Sequence, residues 1–159
     1  MQLRSLLVVI LFCFCITLQA STSLKLFTEG SYTRILEQHK GQAFVMVLWS
    51  VECVPCLTEL TMLGQLKQRH PKLKLILISI DAPDVEHEIQ TLLVKNNLAQ
   101  ASNWVFAEGV VQRLRFEVDP AWYGEVPRSY LFSVGHNRQA VTGELKREQI
   151  DTWLKSATS

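Results

Sequence analysis

Cys53 and Cys56, in the segment Trp49-Ser-Val-Glu-Cys-Val-Pro-Cys56, are the side chains whose type and spacing can do chemistry in this sequence. A thiolate attacks a disulfide sulfur, and a second thiol within reach resolves the mixed disulfide that forms. A purely structural role is a weak alternative, because a bridge closing so short a loop removes little entropy from the unfolded chain. Disulfide frameworks use several pairs that close longer loops. The 159 residues contain four cysteines, but Cys13 and Cys15 lie inside an apolar N-terminal run, where they read as small hydrophobic residues. Two remain for the rest of the chain, and reactivity explains them better than stapling.

Such a pair needs elements that hold it. Ala43 to Trp49 is a continuous apolar run of strand length, as found in strands buried on both faces of a parallel sheet. A helical pattern follows, with Leu57, Leu60, Leu63 and Leu66 near one face, and it ends before His70-Pro71. The order strand, short turn, Cys-x-x-Cys, helix sets Cys53 at a helix N-terminus, where unpaired N–H groups and the macrodipole favour a thiolate. Cys56, one turn on, is placed to resolve the mixed disulfide and is expected to be the more buried of the two. Pro55 removes an N–H that the first helical turn cannot use.

Other elements are predicted around this unit. Ser31 is a candidate cap for a helix running to about His39, with Gly41 as its stop signal. Leu73 to Ile80 reads as a second buried strand. Pro83 opens a helix carrying Val85, Ile89, Leu92 and Leu93 on one face. Asn103 to Ala107 is a short strand and Val110 to Phe116 a short helix. Strands at Ser129–Val134 and about Arg138–Thr142 form a hairpin across Gly135-His136-Asn137, and a last helix carries Ile150, Trp153 and Leu154. The alternation predicts an α/β domain with a mostly parallel sheet closed by an antiparallel hairpin.

Residues 1–20 differ from the rest: Arg4 is their only charge, Leu6 to Leu18 is almost unbroken apolar chain, and small residues follow. This is the pattern of a signal peptide, and the run falls short of the ~20 residues of a membrane span. Residues 21–159 are then one exported domain, most simply in a bacterial periplasm, with an N-terminal membrane tether as the alternative to cleavage. Without Arg4, fifteen basic groups face fifteen acidic ones, which argues against a nucleic-acid partner. A hydrophobic content of 48% with 19% charged residues is that of a folded domain.

The segment Trp49-Ser-Val-Glu-Cys-Val-Pro-Cys56 resembles the active site of the thioredoxin superfamily, and Val126-Pro127 before a strand resembles its cis-proline loop. The extra helix and strand between about Asp81 and Ala107 resemble the insertion of the TlpA-like branch, which includes exported reductases serving cytochrome c maturation. Glu59, three residues after Cys56, matches a position often acidic in that branch. The resemblance covers about Phe27 to Lys155. It implies a thioredoxin-like fold with a central mixed sheet of about five strands, flanked by helices, and an αβ insertion before the cis-proline loop. It implies Cys53 as nucleophile and Cys56 as resolving cysteine. Pro127 would be the cis-proline, Val126 would offer backbone hydrogen bonds to substrate, and Trp49 would be an aromatic wall. It further implies no bound cofactor, with protein thiols or disulfides and an upstream redox protein as partners.

Two positions depart from the thioredoxin pattern. The buried acid expected six residues before the first cysteine is Val47 here, so proton transfer at Cys56 must use water or another group such as Glu59. Glu52 stands beside Cys53, and a carboxylate about 6 Å from a thiolate in water costs about 0.7 kcal/mol. That disfavours the reduced form and points to a reductant, unless Arg128 cancels the charge. The non-enzymatic alternative is a copper(I) carrier holding the metal on the same two thiolates. His39, His70, His87 and His136 are scattered without the spacing of a zinc site, and no metal ligand set is predicted. Trp122 and Tyr123 are candidates either for core packing or for an apolar rim that meets a partner.

Overall fold

The computed structural model describes residues 24–157; the leader or anchor expected at residues 1–20 lies outside them. The described elements are strands β1 (Leu24–Phe27), β2 (Phe44–Trp49), β3 (Leu75–Ser79), β4 (Ser102–Phe106), β5 (Arg128–Phe132) and β6 (Arg138–Thr142). The helices are α1 (Ser31–Gln38), α2 (Val54–Arg69), α3 (Glu86–Lys95), α4 (Val111–Val118) and α5 (Arg147–Ala157). They form one six-stranded sheet in the order β1-β4-β3-β2-β5-β6. Four strands are parallel, and β5 and β6 join antiparallel to β2 and to each other.

The expected mixed sheet of about five strands is present with six; the strand not foreseen, β1, is four residues long, half exposed and interrupted by Lys25, so it carries no periodic signal. Two expectations need correction. Ser31 is the first residue of α1 and not its cap; Gly30 takes that position at φ 80°, while the Ser31 hydroxyl accepts the Thr28 N–H at 2.9 Å. Pro83 opens a single 3-10 turn, Pro83–Val85, and the α-helix begins at Glu86. The inserted strand β4 lies between β1 and β3, inside the sheet rather than on its edge.

Period-two alternation divides the strands between two cores. Val45, Val47 and Trp49 of β2, Leu77 of β3 and Leu131 of β5 pack with α2, α3 and α5. Phe44, Met46, Leu48, Ile76, Ile78, Tyr130 and Phe132 pack on the opposite face with Ile35 of α1 and Leu114 and Val118 of α4. All six residues of β2 are buried, which explains its unbroken apolar run. Gly64 in the middle of α2 permits a close crossing: a Cβ there would meet the Asn96 carbonyl oxygen at 1.9 Å.

Candidate active site

The chain leaves the C-terminal end of β2 and turns into α2 at Cys53, the helix N-cap, with Cys53 N–H donating to Ser50 O at 3.2 Å. Cys53 has an extended backbone (φ −84°, ψ 99°), and its Sγ accepts the Cys56 N–H at 3.2 Å. A hydrogen bond aimed at this sulfur favours a thiolate over a thiol. The two cysteines are disulfide-bonded, with Cα atoms 5.1 Å apart. Cys53 is half-buried, whereas Cys56 is 1% exposed and packs with Val47, Trp49 and Leu60. Val54, between them, is 72% exposed.

The turn before Cys53 is held by Asp81, a residue that sequence reasoning did not select. Its carboxylate accepts from Ser50 Oγ (2.7 Å), Val51 N–H (3.0 Å) and Ser79 Oγ (2.6 Å). Asp81 follows β3, and β3 neighbours β2, so the sheet brings the ends of the two strands together across 31 residues of sequence. Only that pairing reveals the contact.

Glu59 is 1% exposed, one helical turn beyond Cys56 and on the same buried side of α2. Its Oε1 accepts from Ser129 Oγ at 2.8 Å and its Oε2 from the Leu145 N–H at 3.2 Å. Burial pushes its pKa up to about 7, against the partial opposition of those two hydrogen bonds. Ser129 lies directly across from Val47 in the β2–β5 register. The helix thus brings a carboxyl to the Val47–Ser129 pair, which has no acid of its own.

The peptide bond between Val126 and Pro127 is cis. The β2–β5 register pairs Leu48 with Arg128, so Pro127 comes one step further along, beside the end of β2 from which the cysteine turn departs. Pro127 is buried and Val126 half-buried. Among the described residues, neither the N–H nor the C=O of Val126 takes a hydrogen-bond partner, whereas Pro127 O accepts the Gly143 N–H at 2.9 Å.

Two further expectations change. Trp49 is 1% exposed and packs in the core with Cys56, so it backs the pair from inside rather than forming a solvent-facing wall. Arg128 does not stand free to neutralise Glu52. It pairs with Asp119 at 3.1 Å, donates to Tyr130 Oη at 3.2 Å and to Thr142 Oγ1, and lies within 4.0 Å of Glu125. Glu52 itself is exposed. Among the described residues, no group of three or more His, Cys, Asp or Glu side chains could hold a metal ion, and no helix is long and apolar enough to cross a membrane.

No protein-family model matches the chain, and no curated protein matches it. Solved structures do. A secreted disulfide oxidoreductase of Mycobacterium tuberculosis, described as homologous to E. coli DsbE, is similar at 20% identity and TM-score 0.60, covering 76% of this chain and 85% of that one. A thiol:disulfide interchange protein of the thioredoxin family from Chlorobium tepidum is similar at 16% identity and TM-score 0.61, covering 78% and 85%. StoA from Bacillus subtilis is similar at 18% identity and TM-score 0.53, covering 72% and 84%. The chain therefore has the thioredoxin fold, with Cys53-x-x-Cys56 at the start of α2.

Proposed function

We propose that this protein is an exported thiol–disulfide oxidoreductase that works as a reductant of protein disulfides. The reading is carried by the asymmetry of the pair: a half-buried Cys53 capping α2, and a buried Cys56 one turn from the carboxyl of Glu59. Oxidoreductases among the similar folds support it, and the secreted M. tuberculosis protein together with the leader pattern of residues 1–20 supports export to a periplasm, free or tethered.

In the forward direction the Cys53 thiolate attacks one sulfur of the substrate disulfide. An S–S bond forms between Cys53 and substrate as the substrate bond breaks, releasing one substrate thiolate that takes a proton from water. Cys56 then loses its proton to Glu59 and attacks Cys53 Sγ. The Cys53–Cys56 bond forms, the mixed disulfide breaks and the second substrate sulfur leaves as a thiolate that takes a proton from water, so two electrons have passed to the substrate. Glu59, with a pKa raised to about 7, is suited to accept this proton and pass it on. An upstream redox protein must then return two electrons to the disulfide.

The direction rests on Glu52, whose charge beside Cys53 disfavours the thiolate while Arg128 is committed to Asp119. The decisive measurement is the Cys53–Cys56 potential. It is expected nearer thioredoxin's value of about −270 mV than the about −120 mV of a strong periplasmic oxidant, and a value at the latter end would overturn the reductant reading. Insulin reduction by the wild-type protein, lost in Cys53→Ser, tests the activity itself.

A further inference from the structure

We infer that the pole of the domain opposite the cysteines is a binding site for a long-chain carboxylate. The hydrocarbon chain lies in an apolar cavity there, and the carboxylate meets Arg69 and Lys72 at its rim. This site is separate from the redox pair and does not depend on the oxidoreductase reading.

The cavity has a volume of about 450 Å³, within the range of about 300–1,000 Å³ of small-molecule sites. Ala43, just ahead of β2, lines it together with Trp153, Leu154 and Ala157 of α5 and the connection 69–73 between α2 and β3. β2 runs from this cavity toward the cysteine turn, and α2 runs back from Cys53 to Arg69. The two sites therefore stand one helix length apart, about 24 Å for the 16 residues of α2. The connection is braced from within. The Lys67 ammonium donates to Pro71 O and to Leu73 O, each at 2.7 Å. His70 N–H donates to Leu66 O at 2.8 Å, and Leu73 N–H to His70 O at 2.9 Å. A rim fixed in this way has little freedom left to lose when a ligand arrives.

The lining selects the occupant. Its walls are apolar, with Leu73, Trp153 and Ala157 belonging to the core cluster of the α2 side. Its rim carries the exposed side chains of Arg69, His70 and Lys72, and no carboxylate lines the cavity. Arg69 donates through Nε to Gln65 O at 3.4 Å, and among the described residues neither Arg69 nor Lys72 forms an ion pair. Two cations without a counter-charge at the mouth of an apolar cavity are complementary to an anion that carries an apolar tail. The apolar run of residues 6–18 fits less well. It brings no acid to the rim, and Arg4, the one charge of the first twenty residues, repels it.

The test is calorimetric titration of the full chain with decanoate, below the concentration at which decanoate forms micelles. One saturable site is expected. Octanoate should bind about tenfold more weakly, because two fewer methylenes are buried. Decanol, which keeps the chain and lacks the charge, should also bind more weakly than decanoate. The double variant Arg69→Gln/Lys72→Gln should lose about tenfold for decanoate and bind decanol as the wild type does. Both substitutions fall on exposed side chains, so the fold is retained, and Cys53→Ser should leave decanoate binding unchanged. Absence of saturable binding, or equal affinity for decanol and decanoate, would overturn the inference. So would a double variant that binds decanoate like the wild type, since the ligand would then sit elsewhere on the chain. Adsorption to phosphatidylglycerol vesicles without binding of monomeric decanoate would assign this pole to a membrane surface and overturn it as well.

Discussion

Ser129 and Tyr130 are consecutive on β5 and face opposite sides of the sheet, and each donates to a buried carboxyl group with a different fate. On the α2 side, Ser129 meets Glu59, which has a hydroxyl and a backbone N–H for partners, and burial raises its pKa to about 7. On the other side, Tyr130 meets Asp119. Burial pushes the Asp119 pKa up, but the Ala121 N–H, the Tyr130 hydroxyl, Arg128 and the charge of Arg138 together outweigh it and hold the carboxyl below its usual range. The same burial pushes the Tyr130 hydroxyl itself up to about 12, so it stays a donor. The two carboxyls are thus assigned different work by how deeply each is buried and by its neighbours: one can exchange a proton near neutral pH, the other is a charge that shapes a loop.

The comparison breaks most visibly at Asp119. Asp119→Ala leaves two guanidiniums without their shared partner and should destabilise the fold by about 3–5 kcal/mol in urea unfolding at pH 7; a loss below about 1 kcal/mol would show that the pair does not hold the loop. Next is the pH profile. Glu59 binds its proton more tightly in the folded chain than in the unfolded one, so its contribution to stability falls as pH rises from about 4.5 to 7, by on the order of 3 kcal/mol. Glu59→Gln should remove that slope. Asp119 has the opposite sign: its contribution is present above its ordinary value of 3.8 and is lost as pH falls through its lower folded value.

Smaller effects sharpen the contrast. Ser129→Ala removes a donor that favours the charged form of Glu59, so it should cost about 1–2 kcal/mol at pH 8 and less at pH 5. Equal costs at both pH values would show that the hydroxyl serves packing and not the carboxylate. Glu52, an exposed acid, sets the lower bound. Glu52→Gln should lower the Cys53 pKa by about half a unit, read from the pH dependence of alkylation, and should leave stability unaltered.

Local patterns were legible where burial was uniform or periodic. The apolar run of β2, the leucine face of α2, the Pro71 stop and the hairpin strand Arg138–Thr142 all follow from residue type and spacing. The position of Cys53 at a helix start follows from the same local order. β1 escaped because four half-exposed edge residues carry no period. Asp81, Ser129 and Asp119 escaped for another reason: each looks like an ordinary polar residue near a turn or strand end, and its significance lies in a partner across space.

What the sequence alone determined was therefore the reactive pair, its helix, the strand that leads into it and the α/β class, because these depend on contacts within about ten residues. Only the tertiary structure decided how the pair is equipped. It brought Glu59 to Ser129 across 70 residues and to Leu145 across 86, set Asp81 under the cysteine turn, and committed Arg128 to Asp119 instead of Glu52. The physical reason is that a carboxyl group's charge state depends on the water removed from it and the donors turned toward it. In a sheet, both are set by strand register and by which face a residue takes.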